Sequence, residues 1–256
     1  MAQGLWSGPS VGAGRTDDAR VSVTFIGDVH GWSDRLSRVL DQAEGEVVLL
    51  GDLIDRGPDA PGVLRKARAL CASGAGRCLL GNHEYALVRA LGHPAIALEA
   101  EPSFFTAWRD GFGGLAVLEA FGVTDAEGLK AALGDTLDWL AALPWVLEGE
   151  ADGRRWIAVH GGLDEDRPLQ EQLGQLRAGW SGPESNVEAL FSKARMLTLP
   201  ADLPEETCVV SGHVPLPRVH VSPNRILCDT SGGQRHRMLS GVVWHGGRVI
   251  TSGNGV

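Results

Sequence analysis

Thiols are scarce in this chain, and none are paired. Cys71, Cys78, Cys208 and Cys228 are the four cysteines in 256 residues, and no two form a C-x-x-C. That argues against a disulfide scaffold or a thiolate metal ribbon and reads as the reduced state of a cytoplasmic protein. Long apolar runs are lacking too. Nothing approaches the roughly 20 consecutive apolar residues that a membrane helix needs, so no membrane partner is expected. Residues 1–20 have no basic stretch followed by an apolar one, so no signal peptide is expected. Rich in Gly, Ser and Ala, they read as a mobile tail. Positive charge is also short. A net charge of -9 repels phosphate backbones, so no nucleic-acid polymer is expected as partner. No heptad or exposed apolar helix stands out, which makes a monomer the default.

What is present is a punctuated alternation from Val21 to the end, read as a single domain over residues 21–256. Short aliphatic runs stop abruptly at Gly plus polar residues: Val21–Ile26 before Gly27, Val47–Leu50 before Gly51, Cys78–Leu80 before Gly81. Each reads as a buried strand. Helical spacing lies between them, in Ser33–Ala43 with Ser33 as N-cap, and in Pro61–Ala72. Alternating strand and helix predicts an α/β fold with parallel strands. Residues 84–143 carry helical stretches and no strand signal, and read as a helical insertion beside a site. Strands resume at Arg155–Val159, Cys208–Ser211, Arg225–Cys228, Met238–Trp244 and Arg248–Thr251. The later ones are expected to be antiparallel.

The chemistry lies where the strands end. The runs are Gly27-Asp28-Val29-His30-Gly31, Gly51-Asp52-Leu53-Ile54-Asp55-Arg56-Gly57, Gly81-Asn82-His83-Glu84, His160-Gly161-Gly162 and Gly212-His213. Loops at the carboxyl ends of parallel strands share one edge of the sheet. Asp28, His30, Asp52, Asn82, His160 and His213 can therefore converge. Three imidazoles, two carboxylates and an amide are too many for one tetrahedral site. They suit two divalent cations that share a carboxylate, Asp52 by position. Nitrogen and oxygen donors without thiolate point to Mn first, with Fe, Zn, Co or Ni in the same class.

These blocks resemble, in order and spacing across residues 21–232, the calcineurin-like metallophosphoesterases. Gly212-His213-Val214-Pro215 lacks the second His of a Gly-His-x-His ending. With Asp55-Arg56-Gly57, this resembles the bacterial phosphoprotein-phosphatase branch and its relatives the symmetrical diadenosine tetraphosphate hydrolases. Asp229-Thr230 resembles the start of that branch's Asp-Thr-Gly segment, here interrupted by Ser231 before Gly232. The resemblance implies a β-sandwich of two mixed sheets flanked by helices. It implies one metal on Asp28, His30 and Asp52, and another on Asp52, Asn82, His160 and His213.

The expected reaction is hydrolysis of phosphate monoesters, such as phosphoserine or phosphothreonine in proteins, by a hydroxide held between the ions. The alternative is hydrolysis of dinucleoside polyphosphates; a phosphate-recognising scaffold without activity is a third reading. His83, turned away from the neighbouring ligand, is expected as general acid, with Asp55 holding its ring. Arg56 is expected to fork onto phosphate. Arg195, ahead of Arg177, is the candidate for a second phosphate-binding arginine, and Trp32 for stacking on substrate. Glu84 is given a supporting place at a helix start. His83→Ala should lower turnover while metal content, measured on the purified protein, stays at the wild-type level. Retained turnover would remove His83 from the acid role.

Overall fold

The computed structural model describes residues 22–182, 187–244 and 246–253; the expected tail at residues 1–20 lies outside them. The first sheet is built on three parallel strands, β1 (Val23–Ile26), β2 (Glu46–Leu49) and β3 (Gly76–Cys78). Its other edge is the antiparallel pair β9 (Ser240–Val243) and β10 (Arg248–Thr251), in the order β10-β9-β1-β2-β3. The second sheet runs β4-β5-β6-β8-β7. Its centre is parallel: β5 (Arg154–Val159), β6 (Thr207–Ser211) and β8 (Arg225–Leu227). Antiparallel β4 (Val146–Ala151) and β7 (His220–Val221) close its edges. Both sheets are mixed, as the resemblance implied.

Side chains that alternate along each strand divide the core in two. Val23, Phe25, Val48 and Leu50 meet Trp156, Ala158, Val210 and Ile226 between the sheets. Phe25 is fully buried there, edge-on to Trp156 at 5.2 Å and to Trp244 at 6.2 Å. The alternate residues Ile26, Val47 and Leu49 face outward onto helices α1 (Ser33–Leu40) and α2 (Ala60–Ala72), which bury Leu36, Val39, Val63 and Leu64. Residues 82–141 carry five α-helices: α3 (Asn82–Leu91), α4 (Pro102–Ala107), α5 (Leu115–Phe121), α6 (Ala126–Leu133) and α7 (Asp135–Ala141). A π-helical turn, Trp108–Phe112, follows α4. Residues 164–204 hold α8 (Leu169–Ala178) and the single turn α9 (Glu188–Phe191).

Some expectations need correction. Ser33 does not cap α1; Trp32 stands at the cap, and the Ser33 hydroxyl donates to Asp59 instead. Asp59 is already the N-cap of α2 through Gly62 N, so this hydroxyl ties the two helix starts together. The third strand lies two residues earlier than the apolar run suggests, although Leu79 N still bonds Leu49 O. The strand at Arg225 is parallel to β6, not part of a hairpin with it. β4 escaped the apolar count because Glu148 and Glu150 belong to a sheet edge. Phe25→Ala, which empties the joint between the sheets, should destabilise the fold by about 3–5 kcal/mol in denaturant titration.

Candidate metal centre

The parallel strands of the two sheets direct their following loops to one place. Asp28 and His30 follow β1, Asp52 follows β2, Asn82 and His83 open α3, His160 follows β5, and His213 follows β6. All six expected ligands meet there. His30 Nε2 is 3.9 Å from Asp28 Oδ2 and 3.7 Å from Asp52 Oδ2. His160 Nε2 is 3.3 Å from Asp52 Oδ1 and 2.9 Å from Asn82 Oδ1. His213 Nδ1 is 2.8 Å from the same amide oxygen. The backbone is strained to reach this. Of seven described non-glycine residues with positive φ, five are His30, Asp52, Asp55, Arg56 and His213. Gly212 serves close approach: a Cβ there would lie 2.2 Å from Asp28 Oδ1 and push that carboxylate from its place.

The far nitrogen of each ligand histidine is committed to a backbone carbonyl. His30 Nδ1 donates to Ile54 O, His160 Nδ1 to Leu50 O, and His213 Nε2 to Phe191 O. Each near nitrogen therefore presents a lone pair. At Asn82 Oδ1 two such nitrogens meet a third acceptor at hydrogen-bond distance. With both rings neutral there is no proton to place there, and a positive charge resolves the conflict, either a metal ion or, without one, a proton on His160. The donors fit divalent metal on this ground, and ring orientation by backbone carbonyls is how protein metal sites hold imidazoles. Asp52, His160 and His213 group as one ligand set. His30, Asp52 and His83 also lie within reach of one another, with Asp52 common to both groups, but His83 is held at Nδ1 by Asp55 and meets Arg56 at Nε2.

Without a cation the charges here are ill-matched. Burial, with Asp229 and Asp52 close by, pushes Asp28 well above the usual carboxylate range. Burial raises Asp229 to about 6. Burial opposes a charged His160, but Asp52 outweighs it and lifts that ring to about 10. His213 is lowered to about 4 by burial and by His160, and His30 is lowered by burial and His83. Buried anions that raise one another call for positive charge between them.

The expected catalytic residues are also in contact. His83 Nδ1 is 2.6 Å from Asp55 Oδ2, which also accepts from Trp108 Nε1 at 3.1 Å. Arg56 donates to Gly232 O at 2.9 Å, and its two amino nitrogens face His30 Nε2 and His83 Nε2 at 3.0 Å each. His83 is not turned away from the ligands. Anchored at Nδ1 by Asp55, its ring brings Nε2 to 3.7 Å from Asp52. Burial first, then Arg56, outweigh the pull of Asp52 and lower it to about 4.

The model of the calcineurin-like phosphoesterase family matches residues 21–245. The chain belongs to that family. This calcineurin-like phosphoesterase is 37% identical over 145 residues to the symmetrical bis(5'-nucleosyl)-tetraphosphatase of Paracidovorax citrulli (strain AAC00-1). The match takes in 54% of the chain and 43% of that relative, so the chain spans under half of the relative's length. Among solved structures it is similar to a candidate diadenosine tetraphosphatase, with TM-score 0.56 and 19% identity over 91% of this chain and 94% of that one. It is also similar to a serine/threonine phosphatase of Saccharomyces cerevisiae, with TM-score 0.55 and 13% identity over 91% and 80% of the two chains. At these identities the two structures speak for the fold alone.

Other residues fall around the phosphoesterase centre. Trp32 is half-buried at the wall of a cleft of about 660 Å³ that it shares with Arg56, Pro58, Glu119, Gly233 and Arg235. Arg195 is tied to Asp164 at 2.9 Å, and Arg177 to Glu148 on the surface. Neither guanidinium is bonded to the metal cluster. Trp108 was missed, because nothing in its helical context signals an indole N–H aimed at Asp55. Asp229 accepts Ser231 N and Gly232 N, while Ser231 Oγ donates to Asp28 O. The inserted Ser231 thus ties this turn to the first ligand loop.

Glu84 has the largest supporting part. Its buried carboxylate accepts from Asp52 N, Leu53 N, Ile54 N and Gly81 N, at 2.8 to 3.2 Å. Glu84→Gln would set amide hydrogens against these donors. Metal affinity should fall by about 10–100-fold, read as metal bound per chain after dialysis. Wild-type content would show that the Asp52 loop holds its shape without the carboxylate.

Proposed function

We propose that this phosphoesterase hydrolyses dinucleoside tetraphosphates symmetrically, rather than phosphoserine or phosphothreonine in proteins. The observation that carries the reading is Arg56, which spans from the His30 and His83 nitrogens at the metal cluster into the wall of the adjoining cleft. Phosphate at the cluster then continues into space for the rest of a nucleotide. The relative from Paracidovorax citrulli carries the same activity in its name. We assign Asp28, His30, Asp52, Asn82, His160 and His213 as ligands of two divalent ions. Manganese suits their hard oxygen and imidazole donors.

When bound, such ions supply Lewis acidity toward phosphate oxygens and make water nucleophilic at neutral pH. The protein's own groups do the rest. Arg56, steadied by Gly232 O, presents planar N–H donors to a phosphate oxygen as negative charge builds there. Asp55 and Trp108 fix the His83 ring so that Nε2 is the nitrogen that exchanges a proton. A polyanionic substrate beside Arg56 offsets its charge and draws a proton onto that nitrogen. A water oxygen bonds to a phosphorus beside the central bridging oxygen and gives up a proton to solvent, while the bond from that phosphorus to the bridging oxygen breaks. The leaving diphosphate takes the His83 proton, giving two nucleoside diphosphates. A diphosphate is a better leaving group than a serine alkoxide, so this substrate leans less on the acid than a protein monoester does.

With added Mn²⁺, kcat/KM should be higher for diadenosine tetraphosphate than for a phosphoserine peptide, p-nitrophenyl phosphate or bis(p-nitrophenyl) phosphate. ADP should be the sole nucleotide product, and chelation should abolish turnover. His83→Ala should cost the peptide more than the dinucleotide. A faster phosphopeptide, or products AMP and ATP, would overturn the proposal.

A further inference from the structure

The cleft beside the metal centre is lined by both signs of charge, Arg56 and Arg235 with Glu119. Arg56 touches His30 and His83, where phosphate belongs. Glu119, an exposed carboxylate on α5, lines the same cleft. A carboxylate beside a polyphosphate would repel it, so Glu119 fits only the portion of a ligand that bears N–H groups. Trp32 lines the cleft too, and it is held rigidly. Its indole N–H donates to Gly233 O at 3.0 Å, and the Arg35 guanidinium lies 3.9 Å from the ring centroid on one face. Arg35 is itself buried and pinned by the carbonyls of Gln234, Arg235 and Arg237. With one face covered by a cation, a stacking ligand must take the other face. A fixed aromatic plane needs no ordering when a flat heterocycle stacks on it.

Resting on the dinucleotide reading, we propose that this cleft is a purine subsite, in which Trp32 stacks on the base and Glu119 accepts from its ring and exocyclic N–H groups. Two acceptor oxygens suit guanine, which offers adjacent N1–H and N2–H donors, better than adenine, which offers only N6–H. Trp32 and Glu119 are specificity residues and take no part in the bond-breaking step. Arg35 is a positioning residue that acts through Trp32.

The competing role for Trp32 is structural, as an anchor of the Gly233 turn that leads back to Gly232 and Arg56. Inhibition separates the two. Hydrolysis of bis(p-nitrophenyl) phosphate in Mn²⁺ serves as reporter, so the base subsite is read whether or not diadenosine tetraphosphate is turned over. The inhibitors are the α,β-methylene analogues of ADP and GDP, and methylenediphosphonate, which has no base. Trp32→Ala should raise Ki for the nucleotide analogues by about tenfold, the scale of one base stacked on an aromatic ring. It should move Ki for methylenediphosphonate much less, and Trp32→Phe should recover most of the loss. A parallel rise for all three inhibitors would show that Trp32 only anchors the turn, and no rise at all would remove the stacking. Glu119→Gln, on an exposed helix face, should narrow the preference for the guanosine over the adenosine analogue. An unchanged ratio would overturn the reading of Glu119. If these shifts appear while diadenosine tetraphosphate is not cleaved, the subsite stands and the proposed reaction falls.

Discussion

Lone pairs aimed at one another set the terms for this protein. Asn82 Oδ1 faces ring nitrogens of His160 and His213, and Asp52 faces His30, His83 and His160, all of them buried except the half-buried His213. In a low-dielectric interior such a cluster is stable only with positive charge at its centre. The fold makes that arrangement obligatory. His30, His160 and His213 are each oriented by a carbonyl behind the ring and His83 by the Asp55 carboxylate, so none can rotate away without leaving a buried acceptor unpaired.

The strain at the site follows from the same demand. Side chains from both sheets must point into one small volume, and ordinary strand-to-helix turns would fan them apart. Left-handed backbone at His30, Asp52, Asp55, Arg56 and His213 turns them inward. The glycines between them permit the close approach: a Cβ on Gly81 would lie 2.2 Å from Asp52 Oδ1. The sandwich beneath absorbs this cost with a dry joint of Phe25, Trp156 and Trp244. Rigid sheets and strained loops are two parts of one design.

Much of this was legible in the sequence, for a local reason. Asp28, His30, Asp52, Asn82, His160 and His213 each stand beside Gly at the end of an apolar run, and parallel strands carry such ends to a common edge. The contact of Asp55 with His83 was likewise readable from carboxylate and imidazole chemistry. What could not be read depends on distant partners. Trp108 reaches Asp55 across 53 positions, from a π-helical turn with no apolar signature. Arg195 faces Asp164, a pairing set by loops whose composition gives no register. Glu119 stands on an ordinary helix face, and only the cleft gives it meaning. β4 was hidden because an edge strand carries charge where central strands carry aliphatics.

Glu84 grips the turn after β2 from the first turn of α3, and so binds two stretches of chain that are separated by all of α2 and β3. Asp52, Leu53 and Ile54 are thereby tied to Gly81 and Glu84 by one carboxylate. Within the intervening residues 58–80, exposed positions such as Arg65 and Ala69 can then change without the ligands shifting, whereas Asp59, Val63 and Leu64 are held by the helix starts and the core. The same grip has a cost in tolerance. A change at either end that breaks these bonds is felt at the other, because Glu84 is common to both.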